Sequence, residues 1–269
     1  LNNFKIKHTC IVMRVDCNPF QKKWHYIGEH KKIIFSFYKL FYIIILKFSM
    51  TNIEKKISRE TANILLKKKC IEFSFKKKFQ LTSGRKSILY CDCRKIISYT
   101  AEREKLINLA LKKIKSDKTL NSLTNIAGGE SAGIPYASLL AQKLKLPLSY
   151  IRKERKKFGK KSQIEGNIKV KDNVLIAEDL ITDGKSKYNF IDAVDKVGGR
   201  IKAIFVIFNY GINSDFLEYK GKKIKIISLA KWEDVLKILI SKKVFPKKKI
   251  KLIVDFLSTM GVKNLKSFL

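Results

Sequence analysis

The sequence predicts an α/β fold in which a mostly parallel central sheet is flanked by helices, preceded by a smaller N-terminal segment. Three observations carry this. Short apolar runs recur at residues 123–127, 148–151, 174–177, 201–208 and 224–229, each short enough for a strand buried on both faces. Stretches of helical periodicity lie between or after them, at residues 134–144, 185–197 and 232–240. Strands alternating with helices at this spacing give parallel pairing, with helices on both sides of the sheet. The chain of 269 residues, 45% hydrophobic with four prolines and 13 glycines, has enough apolar material for a substantial core and is neither disordered nor fibrous.

The elements follow in order. Residues 1–49 read as a doubtful leader, either sequence upstream of a misassigned start or a basic targeting segment, with Met50 as the plausible start. The mostly apolar run at 33–46 is shorter than the ~20 residues a spanning helix needs, and Lys47-Phe48-Ser49 does not suit signal-peptide cleavage. His8, Cys10, Cys17, His25 and His30 fit no common zinc spacing. Residues 50–100 read as a helix over 53–69, with Ile57, Ile64 and Leu65 on one side, followed by a β-rich hood broken by the turn Ser83-Gly84. Residues 101–269 read as the core with C-terminal helices. It opens with an amphipathic helix over 101–115 whose Leu106, Leu109, Ala110 and Ile114 share a face. Gly133-Ile134-Pro135 marks a helix start and Gly198-Gly199 a helix end.

The net charge of +35, from 58 Lys and Arg against 23 Asp and Glu, first suggests a polyanionic partner. Eight of the 58 are arginines, whereas nucleic-acid sites lean on arginine for bidentate and stacking contacts. Lysine here accompanies Ile, Asn, Phe and Tyr, all encoded by A/T-rich codons, so background composition accounts for most of the charge. Neither nucleic acid nor a membrane is expected as a partner. The five cysteines form no C-x-x-C pair and no secreted framework. Cys91 and Cys93 are read on one strand, facing the same side, and all five as reduced thiols of a cytoplasmic protein.

Chemistry concentrates in residues 174–187, VLIAEDLITDGKSK. An apolar strand ends in Glu178 and Asp179, two apolar residues follow, and Thr182-Asp183-Gly184-Lys185-Ser186 leads into a helix. A small-residue turn opening a helix presents backbone N–H groups and a positive dipole end, which suits an anion. Thr182 and Ser186 add hydroxyls, and Gly184 lets the backbone come close to a phosphate. Two acids beside a phosphate cradle need a partner that is not itself phosphate. Sugar hydroxyls, with or without a divalent cation, meet that need. A strand–turn–helix in which an acid merely caps the helix requires one carboxylate, not two acids, a spacer and T-x-G-x-S.

This segment resembles the phosphoribosyl-pyrophosphate (PRPP) loop of type I phosphoribosyltransferases. Three further segments narrow the resemblance to the orotate phosphoribosyltransferases. FQLTSGRKSILYCDCR at 79–94 is similar to that family's N-terminal hood, GGESAGIPYA at 128–137 to its next βα turn, and YIRKERKKFGKKSQIEG at 150–166 to its mobile catalytic loop. The resemblance extends through 204–211 and 230–232, running from about Met50 to the C-terminus and leaving out residues 1–49. It implies the type I phosphoribosyltransferase fold and transfer of ribose 5-phosphate from PRPP to orotate, giving orotidine 5′-phosphate and pyrophosphate in UMP synthesis, usually with Mg2+. It also implies a homodimer, because the family's loop reaches into the neighbouring subunit's site.

Carried over residue by residue, the resemblance gives PRPP to Arg152, Lys153, Lys156, Glu178, Asp179, Leu180, Ile181, Thr182, Asp183, Gly184, Lys185 and Ser186. Thr182 to Ser186 would hold the 5′-phosphate, and Glu178 and Asp179 the ribose hydroxyls. Lys153, Lys156 and Asp179 would be the catalytic groups, the loop cations neutralising the leaving pyrophosphate. Thr182, Tyr90 and Cys91 would contact orotate, the latter two through backbone groups, with Lys86 and Arg94 near enough for its carboxylate. No protein side chain is assigned to the metal. The chain departs from the family pattern at Phe158, where many relatives have His, and no His follows His30, so residues 50–269 cannot use a histidine proton shuttle. Thr82, Ile88 and Asn209-Tyr210 also depart, which weakens the orotate contacts relative to the phosphoribosyl ones. The rival readings are an enzyme for another base and a regulatory nucleic-acid binder that keeps the phosphoribosyl site.

Overall fold

The computed structural model describes residues 51–80, 84, 86–155, 162–213 and 215–268, within one compact unit, Met50–Leu269. Residues 1–49, and with them the reading of a leader, lie outside the described residues, as do Thr82, Ser83, Lys156 and Phe158.

Five parallel strands form the centre of a seven-stranded sheet: β5 (Asn125–Gly129), β6 (Leu148–Ile151), β8 (Asn173–Ile181), β9 (Arg200–Asn209) and β11 (Lys222–Lys231). Short antiparallel strands close the edges, β10 (Phe216–Tyr219) beside β11 and β7 (Ile164–Glu165) beside β6, giving the order β10-β11-β9-β8-β5-β6-β7. Consecutive side chains on a strand point to opposite faces, and the core divides accordingly. Leu175, Ala177, Phe205, Ile207 and Leu229 join the helices α1 (residues 51–67), α2 (Thr100–Ser116), α3 (Gly133–Leu144), α5 (Trp232–Ser241) and α6 (Lys247–Thr259). Val174, Ile176, Ile204, Val206 and Ile226 pack with Phe190, Ile191 and Val194 of α4 (Lys185–Lys196) on the other face. On β8 and β9 the apolar runs are thus strands covered on both sides, which is why they read as continuous rather than alternating, whereas on β6 Leu148 is exposed and Tyr150 half-buried.

The hood consists of two small ribbons, β1 (Ile71–Phe73) with β4 (Leu89–Cys91) and β2 (Phe79–Gln80) with β3 (Lys86–Ser87), followed by a 3-10 turn at Cys93–Ser98. Two sequence expectations change here. Strand β8 does not stop at Ala177 but runs through both acids to Ile181, because Glu178, Leu180 and Ile181 still pair with Val206, Phe208 and Asn209. Cys91 and Cys93 do not share a strand: β4 ends at Cys91, and Asp92 caps the turn that Cys93 opens. Their sulfurs lie 3.8 Å apart and both thiols are free, as is Cys70. Among the described residues no helix is long and apolar enough to cross a membrane.

Candidate active site

Ligands of open parallel sheets bind beyond the carboxyl ends of the strands, and the motif residues gather at that end. Between β8 and α4, residues Thr182–Gly184 form a tight turn. Gly184 has φ +84°, a conformation that favours glycine, and a Cβ there would stand 2.4 Å from Leu217 Cδ1 and push that side chain aside. The Lys185 N–H donates to Asp183 Oδ1 at 3.2 Å, and Asn213 Nδ2 donates to the Asp183 carbonyl at 2.7 Å, fixing the turn from two sides. Thr182 is half-buried, and Asp183, Lys185 and Ser186 are exposed at the N-terminus of α4, where backbone donors face a prospective anion. Leu180 is half-buried and Ile181 is a core residue of β8.

Three charged side chains are buried among the described residues, and all three meet here: Glu178, Asp179 and Lys187. Alternation along β8 sends the two acids to opposite faces. Glu178 turns towards α4, with Oε2 3.1 Å from Lys187 Nζ. Asp179 turns towards the hood and accepts from the Leu180 N–H at 2.8 Å. Burial pushes the Glu178 carboxyl up to about 7, against the pull of Lys187. Burial likewise raises Asp179, opposed by the Leu180 N–H, Lys187 and Arg94.

The preceding βα turn supplies clearance. A Cβ on Gly129 would lie 1.9 Å from Glu178 Oε1, and one on Gly133 would lie 2.1 Å from the Ala177 carbonyl oxygen. The glycines of GGESAG therefore let β5 and the start of α3 close on the end of β8.

The basic loop leaves β6 through Arg152 and Lys153, both described, whereas Lys156 lies outside the described residues. Its base is tied down at several points. Glu130 Oε2 accepts from the Lys153 N–H at 2.8 Å, and Asn189 of α4 donates to the Lys153 carbonyl. Gln163 donates to the Arg152 carbonyl at 3.0 Å and to Asn189 Oδ1 at 2.9 Å, and Arg152 lies 3.7 Å from Glu165. Asn189 thereby joins the loop base to the helix that follows the Thr182–Gly184 turn.

From the hood, Tyr90 and Cys91 on β4 border the same end of the sheet. Arg94 donates through Nε to Asp92 at 2.7 Å and through Nη2 to Tyr90 Oη at 3.4 Å, and its charge also acts on Asp179. Hydrogen bonding to Asp92 raises the Arg94 guanidinium, keeping it charged. Lys86 is exposed on β3. The Tyr136 hydroxyl of α3 donates to the Cys93 carbonyl at 2.7 Å, pinning the hood to the core. Tyr210, just past β9, is buried within the electrostatic reach of Cys91, Tyr90 and Asp179, which raise its hydroxyl after burial. Sequence reasoning did not single out Lys187, Glu130, Asn189 or Tyr210 as site residues. Tyr210 carried a partial signal, since Asn209-Tyr210 stands where some relatives have an orotate-contacting Arg. The other three show their partners in the folded chain.

No family model matches the chain. Curated relatives do. An orotate phosphoribosyltransferase of Rhizobium rhizogenes is 36% identical over 211 residues, covering 78% of this chain and 91% of that protein. One from Dinoroseobacter shibae is 39% identical over 186 residues, covering 68% and 81%. Among solved structures, a UMP synthase of Leishmania donovani superposes with a TM-score of 0.62 at 25% identity, covering 75% of this chain and 42% of that one. An orotate phosphoribosyltransferase of Aeropyrum pernix gives 0.55 at 27% identity, covering 66% and 97%.

Proposed function

The chain belongs to the orotate phosphoribosyltransferases, and from that premise we propose how its residues divide the work of the transfer. The reaction joins orotate to the ribose 5-phosphate of PRPP, releasing pyrophosphate and giving orotidine 5′-phosphate for pyrimidine synthesis. The bond from the anomeric carbon to pyrophosphate breaks as the bond from orotate N1 forms. Positive charge grows on the sugar and negative charge on the leaving group. An enzyme gains rate by holding fixed charge where these develop.

Thr182 to Ser186 would receive the 5′-phosphate on the N–H groups and hydroxyls at the start of α4. Glu178 and Asp179 would hold the ribose hydroxyls, with Asp179 on the hood side favouring the developing cation. Arg152, Lys153 and Lys156 would neutralise the pyrophosphate as the loop closes. Orotate would lie under the hood against Thr182 and the backbone of Tyr90 and Cys91, with Arg94 facing its carboxylate. Orotate reacts as its N1 anion, so no histidine base is needed.

Mg2+ would travel with PRPP. Its hard oxygen ligands would be those of the diphosphate and water, with no protein side chain assigned to it. When bound, it supplies charge neutralisation at the leaving group. A homodimer with loops shared between subunits is part of the same proposal.

The observation that carries this assignment is the junction of paired buried acids on β8 with a glycine-built phosphate turn at the head of α4. Pyrophosphate release from PRPP tests it. Release should require orotate, and adenine, guanine, hypoxanthine or uracil should not replace it. Binding of PRPP without pyrophosphate release in the presence of orotate would overturn the assignment.

A further inference from the structure

Of the fifty lysines in the chain, Lys187 is the one that is buried among the described residues, and its ammonium is spent on one acid of the site. It sits in the first turn of α4, three residues past Gly184, and its backbone N–H donates to the Gly184 carbonyl at 2.9 Å. A cation at a helix N-terminus opposes the helix dipole, so helix energetics does not account for it. The slot around Glu178 does. Gly129 of β5 lies against Oε1, the Phe190 ring stands 2.5 Å from where a Gly129 Cβ would be, and Lys187 holds Oε2. The neighbouring strand β9 offers Val206 opposite Glu178. The charged groups acting on this carboxyl are Lys187 from α4 and Asp179 from β8 itself.

We infer that Lys187 is a positioning residue for PRPP: its ammonium orients the Glu178 carboxyl in its slot and favours its ionised form, so that the phosphate turn at the head of α4 and the ribose-binding acid on β8 are held together. The inference rests on the reading of Glu178 as a ribose-hydroxyl ligand. Burial beside Asp179 already raises the Glu178 carboxyl to about 7. Without the ammonium the proton would be held still more tightly, and the ribose would meet a neutral acid at physiological pH.

The test is the pH dependence of kcat/KM for PRPP in the full chain, at saturating orotate, from about pH 6 to 9. Lys187→Met, and Lys187→Gln as a variant that keeps a hydrogen-bond donor without charge, should move the acid limb upward by about one pH unit or more. At neutral pH this is a loss of about fivefold or more, recovered at high pH. Lys187→Arg should keep the wild-type limb. A purely structural role would lower the rate equally at all pH values, and an unmoved limb in the uncharged variants would overturn the inference. Glu178→Gln separates the two readings. If it binds and turns over PRPP like wild type, the reading of Glu178 is wrong. If it is impaired while the Lys187 variants keep the wild-type limb, the inference about Lys187 fails by itself.

Discussion

The two halves of the proposed site, one for the phosphoribosyl group and one for the base, are built differently. The phosphoribosyl half is one contiguous stretch, the end of β8, its turn and the first residues of α4. Most of its contacts are local, Lys185 to Asp183, Leu180 to Asp179 and Lys187 to Glu178 nine residues away, with Asn213 bracing the turn from 30 residues on. The base half is assembled from β4, the turn after it, α3 and the end of β9, joined over 43 residues by Tyr136 to Cys93. A phosphate and a ribose are recognised by backbone donors and fixed carboxylates, which one strand–turn–helix can supply. A planar base under a lid needs walls from several elements, and each wall depends on the packing that brings it there.

The largest expected effect lies where the two halves meet. Asp179 belongs to the contiguous motif, yet it faces the hood and feels Arg94. Asp179→Asn keeps the shape and removes the charge, and should lower kcat by about two to three orders of magnitude. Its unfolding midpoint should stay close to wild type, because a buried carboxylate is exchanged for an amide of equal size. Steady-state kinetics beside thermal unfolding measures both. A kcat within a few-fold of wild type would remove Asp179 from the chemistry.

The next prediction concerns stability within the contiguous half. The folded-state pKa of Glu178 is raised from 4.5 to about 7. The native protein therefore holds a proton that the unfolded chain has already released. Stability from this group is fully present below its ordinary pKa and is lost as pH rises through about 7, on the order of 3 kcal/mol across the window. Asp179, also raised, adds a slope of the same sign. Denaturant unfolding of wild type against Glu178→Gln should show the wild type losing ground as pH climbs through that window. The slope of the difference is the readout, because the variant also leaves Lys187 without its acid and so carries a constant offset. Parallel curves would mean that Glu178 is not desolvated as the fold indicates.

These two predictions also mark what the sequence could convey. The turn between β8 and α4 was legible because it is carried by adjacent residues whose types, spacing and turn preference are visible in one line. The parallel sheet was legible for a similar reason: strands buried on both faces leave continuous apolar runs at 174–177 and 203–208. Lys187 was not legible. Among fifty lysines nothing in the sequence marks Lys187 as turning its side chain inward. The extension of β8 through the acids was hidden too, since pairing with β9 rather than local preference carries the strand past Ala177. Glu130 and Asn189 anchor the loop base through partners 23 and 36 residues away, a distance at which residue type alone has no voice.

On the assembled side, Arg94 is held by Asp92 and Tyr90 at the mouth of the hood, with its side chain more than half exposed. A charge that meets a ligand carboxylate near solvent contributes about 1–2 kcal/mol. Arg94→Ala should therefore raise KM for orotate by about tenfold, with little change in KM for PRPP. Equal loss for both substrates would mean that Arg94 acts through Asp179 rather than on the base, and would blur the division between the halves.

The smallest effect should come from the pin that joins hood to core. Tyr136→Phe deletes a hydroxyl that is buried and bonded to the Cys93 carbonyl, while the ring that fills the core between α3 and the hood stays in place. The cost is that of a lost neutral hydrogen bond plus a carbonyl left without its donor, about 1–2 kcal/mol in a chemical unfolding experiment. Because the carbonyl belongs to the turn that follows Cys91, the loosening should be felt on the base side first. KM for orotate should rise by about two-fold, while KM for PRPP and the pH profile of its use remain as in wild type. Equal effects on the two substrates would show that the hood and the phosphate turn behave as one rigid body, and that the difference in how they are built has no counterpart in how they bind.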